Sequence, residues 1–139
     1  MKGLVAKILF LIVFFCATLS PCACKKLATI LLFNTQPITR ENMLDNSSEF
    51  EVGQKIYYLF ATEKPLKTDG VRVRVLKRDD KAQGQITKMV YSSDYRLFKD
   101  QIYYYNDYVV MHEAGTYCMI IHAKNRLDKP LVVGDFKVK

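Results

Sequence analysis

The chain has 139 residues, 21 of them lysine or arginine against 14 acids, for a net charge of +7. That is the length of one domain, long enough to bury ~65% of its unfolded surface without covalent staples. Of four cysteines only Cys118 lies well inside the domain, which excludes an intradomain disulfide framework.

The first 24 residues have the grammar of an export signal. Lys2 and Lys7 are followed by a 12-residue apolar run, Ile8–Leu19, then Ser20-Pro21 and the small residues Cys22, Ala23 and Cys24. A basic start, a short apolar stretch and a small-residue cleavage zone form a secretory signal. A spanning helix needs ~20 apolar residues, more than Lys7 and Pro21 enclose. Leu19-Ser20-Pro21-Cys22 also has the outline of a lipobox, with Pro21 where the motif has a small residue, so Cys22 is a lipidation candidate. Loss of Lys2 and Lys7 leaves 19 basic residues against 14 acidic, a net charge of +5. The Cys22–Cys24 pair lacks the further ligands of a zinc site.

From residue 25 to 139 the pattern reads as one β-domain. Leu27–Phe33 is a short apolar run, and Asn34–Ser48 a polar loop. Phe50–Ala61 is rich in β-formers. Pro65 and Asp69-Gly70 mark a turn. Val71–Leu76 alternates strictly, valines on one face and Arg72 and Arg74 on the other. A charged turn over Arg78–Gly84 leads to a strand at Gln85–Tyr91, and Ser92–Gln101 is ambiguous. Ile102–Met111, Thr116–Lys124 and Leu131–Val138 complete about seven strands, with no amphipathic helix. Such spacing predicts an all-β sandwich or barrel.

Two segments resemble immunoglobulin-like domains. Glu113-Ala114-Gly115-Thr116-Tyr117 is similar to the turn into strand F, where the tyrosine hydroxyl bonds back to nearby backbone. Gly53–Phe60 is similar to strand B, with Ile56, Tyr58 and Phe60 on one face. The resemblance implies an antiparallel sandwich with Tyr117 and Gly115 at a corner. It also puts Phe60 and Met119 at the two positions that a disulfide occupies elsewhere in the family. Cys118 falls one place off, on the opposite face, and Val73 is nearest to the family's strand C tryptophan position.

Chemistry is thinly represented. His112 and His122 are the two histidines, and no G-x-S-x-G, H-E-x-x-H or P-loop spacing occurs. Cys118 lies in an apolar run, where a thiol is usually inert. The expectation is a non-enzyme without cofactor. Met111, His112, Cys118, Met119 and His122 lie within 12 residues, and their sulfur and imidazole suit copper; copper handling is the alternative. Residues 63–88 are basic, and Arg72, Arg74 and Arg78 form a candidate anion-binding face. Tyr103, Tyr104, Tyr105 and Tyr108 could present aromatics to a partner, half of them at most on one side of a strand.

These readings converge on an extracytoplasmic envelope module, binding or structural in role. Its partner is an unidentified protein or an anionic envelope component; nucleic acid is not expected, and the membrane is reached only through the signal or a lipid. Mass spectrometry of the mature protein should find a new N-terminus between Cys22 and Lys25. A diacylglycerol increment on Cys22 identifies the lipidated form, and an intact Met1 in the envelope fraction would make the segment an anchor.

Overall fold

The computed structural model describes residues 29–79 and 86–139, with Ile86 and Thr87 described through their backbone alone. The signal segment with Cys22, and most of the charged turn at 78–84, lie outside the described residues. Eight strands follow in order: β1 Thr29–Asn34, β2 Glu49–Phe50, β3 Lys55–Thr62, β4 Gly70–Arg78, β5 Ile86–Arg96, β6 Tyr104–Val110, β7 Gly115–Ala123 and β8 Arg126–Val138. Among the described residues no helix is long and apolar enough to cross a membrane.

The expected Phe50–Ala61 strand is broken near its start. Gly53, at φ +80°, turns the chain between β2 and β3, so Phe50 pairs with Val138 while Lys55 begins a different sheet. The ambiguous Ser92–Gln101 segment is strand as far as Arg96, paired along β4 from Arg74 to Gly70.

A three-stranded sheet has the order β1-β3-β6, and a five-stranded sheet the order β2-β8-β7-β4-β5. All neighbours are antiparallel except β2 and β8. The chain is thus an immunoglobulin-like β-sandwich, with β3 and β6 in one sheet as strands B and E, and β4, β7 and β8 in the other as strands C, F and G.

The period-2 rule decides what lies between the sheets. Ile56, Tyr58 and Phe60 point inward from β3; Val71, Val73 and Val75 from β4; Tyr117, Met119 and Ile121 from β7. Phe60 and Met119 are both fully buried in this one layer, from opposite sheets. Cys118 is buried too, but it pairs with Leu76 and Asp135 on the outward side. Gly134 pairs with Met119 in the same layer. A Cβ on Gly134 would lie 2.9 Å from Leu31 Cδ2 and 3.0 Å from Phe33 Cε2, so only glycine lets β1 close against β8.

The corner is built as the resemblance implies. The Tyr117 hydroxyl donates to the Glu113 carbonyl oxygen at 2.6 Å, and the Tyr117 ring stacks on Phe136 at 5.5 Å. Gly115 has φ +151°, and a Cβ there would stand 2.7 Å from Lys77 Cε. Tyr117→Phe should cost about 1 kcal/mol, the usual net value of a hydrogen bond, whereas Phe60→Ala should cost ~3–5 kcal/mol through the cavity it leaves. Urea unfolding of both variants measures the two terms; an unchanged midpoint for Tyr117→Phe would mean that the corner bond does not hold the fold.

Candidate functional site

With the inward residues consumed by the core, function falls to the outer faces, the edges and the ends. The outer face of the five-stranded sheet carries the predicted arginines. Register sets Arg72 between His122 and Asp94, and Arg74 between Ile120 and Ser92. Arg72 makes a bidentate pair with Asp94, Nε to Oδ1 at 2.6 Å and Nη2 to Oδ2 at 2.9 Å. Arg78 Nη2 donates to both oxygens of Asp135, at 2.9 and 3.1 Å. Arg74 makes no ion pair among the described residues. Of the three arginines proposed to bind an anion, two already hold carboxylates of the same chain.

Cys118 and His122 lie on that face and are both buried. Burial is the main force pushing the Cys118 thiol up; a hydrogen bond and the charge of Asp135 add to it, while Arg78 opposes. A thiol so placed is a poor nucleophile. His122 is pushed below its ordinary range, first by burial and then by Arg74 and Arg72, with Asp128 opposing. Its Nδ1 has no hydrogen-bond partner among the described residues.

The five soft donors do not converge. Met119 is in the core, while Cys118 and His122 are on the opposite side of β7. Met111 and His112 instead line a cleft of about 520 Å³ between the β5 and β6 sides, together with Met89. Met89 escaped the sequence reading because a register shift between Val75 and Leu76 sets its place on β5.

The tyrosines divide sharply. Tyr105 points inward and joins Tyr58, Tyr91, Tyr95 and Asp107 between the sheets. The Tyr105 and Tyr95 rings are 5.1 Å apart, the Tyr105 hydroxyl donates to Asp107 at 3.1 Å, and the Tyr91 and Tyr95 hydroxyls bond to each other. Burial pushes the Tyr95 phenol up to about 12, and those of Tyr58 and Tyr105 further. All three stay neutral at physiological pH and fill space.

Tyr104 and Tyr108 point the other way, onto the outer face of the three-stranded sheet. Register builds this face in rows: Ile30, Ala61 and Tyr104; then Leu32, Leu59 and Asn106; then Asn34, Tyr57 and Tyr108. Ile30, Tyr104 and Tyr108 are 39%, 37% and 43% exposed. The Tyr57 and Tyr108 rings pack 5.6 Å apart, and Lys55 Nζ stands 4.5 Å over the Tyr108 ring. No charged side chain occurs in the three rows. An antiparallel sheet with one solvated face normally alternates apolar and polar residues; here the outer face is uncharged, and Asn34 and Asn106 are the amides among its aliphatic and aromatic residues.

No protein-family model matches the chain, and no curated protein does. Among solved structures, the soluble domain of PmoD from Methylocystis sp. ATCC 49242 (Rockwell) is similar. It has a TM-score of 0.50 and 10% identity, over 80% of this chain and 90% of that one. An immunoglobulin-like protein from Pseudomonas aeruginosa gives a TM-score of 0.49 and 14% identity, over 81% of this chain and 92% of that one. At such identity the PmoD likeness speaks for the fold alone.

His122 generates a prediction of its own. Its folded pKa lies below the ordinary 6.5, so between the two values the unfolded chain binds more protons. Stability should therefore be full above that range and fall as pH drops through it. The window from about pH 7 to pH 5 lies above the ordinary carboxylate range. Urea midpoints across it should decline in the parent chain and flatten in His122→Gln.

Proposed function

We propose that this chain is an exported, non-catalytic module of the cell envelope that docks a protein partner on the outer face of its three-stranded sheet. The observation that carries the reading is the uncharged set Ile30, Leu32, Tyr57, Leu59, Tyr104 and Tyr108, aligned by register on that face. Strands ~4.8 Å apart over three rows make a patch of a few hundred Å². That is the size of an interface core, which a polar rim would extend toward the ~800 Å² that each partner of a stable complex buries. Tyrosine suits such a core because it offers large area with little side-chain freedom to lose. The export pattern of the first 24 residues supports an extracytoplasmic location. Arg74, which makes no ion pair among the described residues, supports a secondary anionic contact on the opposite sheet.

Copper handling is a second reading, favoured by the cleft that Met89, Met111 and His112 share. Thioether and imidazole donors suit Cu(I), and Met111 is buried enough to hold a metal away from water.

A photo-crosslinking residue in place of Tyr104 or Leu59 should capture a distinct envelope protein, and one in place of Ser92, on the other sheet, should not. Leu59→Lys with Tyr104→Lys should abolish capture while leaving the folded circular dichroism spectrum intact. An adduct of twice the chain's own mass would make the face a homodimer interface instead. Uptake of one equivalent of Cu(I) that is lost in Met111→Leu would favour the second reading.

A further inference from the structure

A groove of about 690 Å³ opens at the end of the sandwich, where β1 begins, β3 ends and β7 turns into β8. Its walls are amphipathic. Leu66, Ala123 and Leu131 supply an apolar floor, and Lys64, Lys67, Arg126 and Lys129 supply four cations; among the described residues no aspartate or glutamate lines it. Lys64, Lys67 and Lys129 make no ion pair among the described residues. Arg126 approaches Asp128 at 4.0 Å, with both side chains largely exposed, a pairing of little strength.

The segments that line the groove are joined by hydrogen bonds that leave the cationic side chains unused. Asn125 Nδ2 donates to the Lys67 carbonyl at 2.8 Å and joins the β3–β4 loop to the β7–β8 turn. The Leu66 amide donates to the Ile102 carbonyl at 2.6 Å. Thr68 bonds its hydroxyl to the Gly70 carbonyl at 2.8 Å. Like charges held together by a rigid frame repel one another, and a bound anion relieves that repulsion.

Thr29, where β1 starts, lines this same groove. The preceding sequence therefore joins the domain at this rim, and it carries Lys25, Lys26 and the lipidation candidate Cys22. Seven positions separate Cys22 from Thr29, a reach of at most ~25 Å. A chain held in a bilayer by a lipid on Cys22 keeps the groove within that distance of lipid headgroups.

We propose that the groove binds the phosphate-bearing headgroups of an anionic bilayer, so that the domain itself contacts the membrane end-on. This goes beyond an anchor and beyond the protein-docking face, which lies on the side of the sandwich. It rests on the export reading only for which membrane is met. Each cation beside an anionic surface is worth about fivefold in partition, and salt screens it within ~8 Å.

Purified mature chain, with its N-terminus between Cys22 and Lys25, is sedimented with vesicles of phosphatidylcholine alone and with vesicles that also contain phosphatidylglycerol. Partition should rise at least about tenfold on the anionic vesicles, and the rise should vanish at high salt. The K64E/K67E/K129E variant should lose most of the rise yet keep any binding to neutral vesicles, which reads a lipid on Cys22. The R40E/K99E/K137E variant changes net charge equally at other exposed positions and should keep the rise. No rise in the parent chain, or equal loss in both variants, overturns the proposal. Saturable competition by inorganic phosphate at constant ionic strength also overturns it, in favour of a soluble anion. The vesicles hold no protein partner, so the result is independent of the crosslinking outcome, and the N-terminal mass tests export separately.

Discussion

The single apolar layer between the two sheets is the constraint from which the rest of the structure follows. β3, β4 and β7 each give three inward residues to it, and Phe60 and Met119 both lie buried in it. Two-residue periodicity then leaves no freedom on the outside. Once Val71, Val73 and Val75 face in, Arg72 and Arg74 must face out, and once Ile56, Tyr58 and Phe60 face in, Tyr57 and Leu59 must face out. The closure of this layer at β1 and β8 depends on a missing side chain at Gly134, where a Cβ would press on Leu31 and Phe33.

The outer faces inherited from that constraint are unlike each other. The five-stranded sheet neutralises most of its charge internally, through Arg72 with Asp94 and Arg78 with Asp135. These pairs are partly exposed and add little to stability, but they occupy the two arginines and cover a buried thiol whose ionisation is suppressed. The three-stranded sheet carries aromatics and aliphatics where water would favour polar residues. Three lysines without an ion pair among the described residues, Lys64, Lys67 and Lys129, line the groove at the end where β1 begins. Side, opposite side and end thus offer three different chemistries on one small domain.

The arginine and tyrosine readings show how far local pattern reaches. Arg72 and Arg74 were legible as outward-facing from the alternation of Val71–Leu76. Their partners were not, because Asp94 sits in the segment whose pattern was ambiguous and Asp135 lies 57 residues from Arg78. The tyrosine run predicted that neighbours must divide between faces, and Tyr104 and Tyr105 do so. That Tyr104 and Tyr108 join Ile30, Leu32, Tyr57 and Leu59 was invisible, since three strands separated in sequence contribute to the patch and only their register aligns them. The soft donors near residues 111–122 looked like one cluster because they are close in sequence, yet a strand sends adjacent residues to opposite sides. Met89 enters the remaining pair's cleft from another strand.

What the amino-acid order determined by itself was local and periodic: the strand pattern, the inward triplets, and the corner at Glu113–Tyr117, whose hydroxyl bond spans four residues. These depend on the backbone's two-residue repeat and on short-range hydrogen bonding, both written in adjacent residues. What only the tertiary structure decided was which side chains meet across strands. The Arg72–Asp94 pair, the apolar face of the three-stranded sheet and the four-cation groove each assemble residues from separate strands or turns. Their assembly follows from β-pairing register and sheet packing, which are set by the whole core at once and by no single segment.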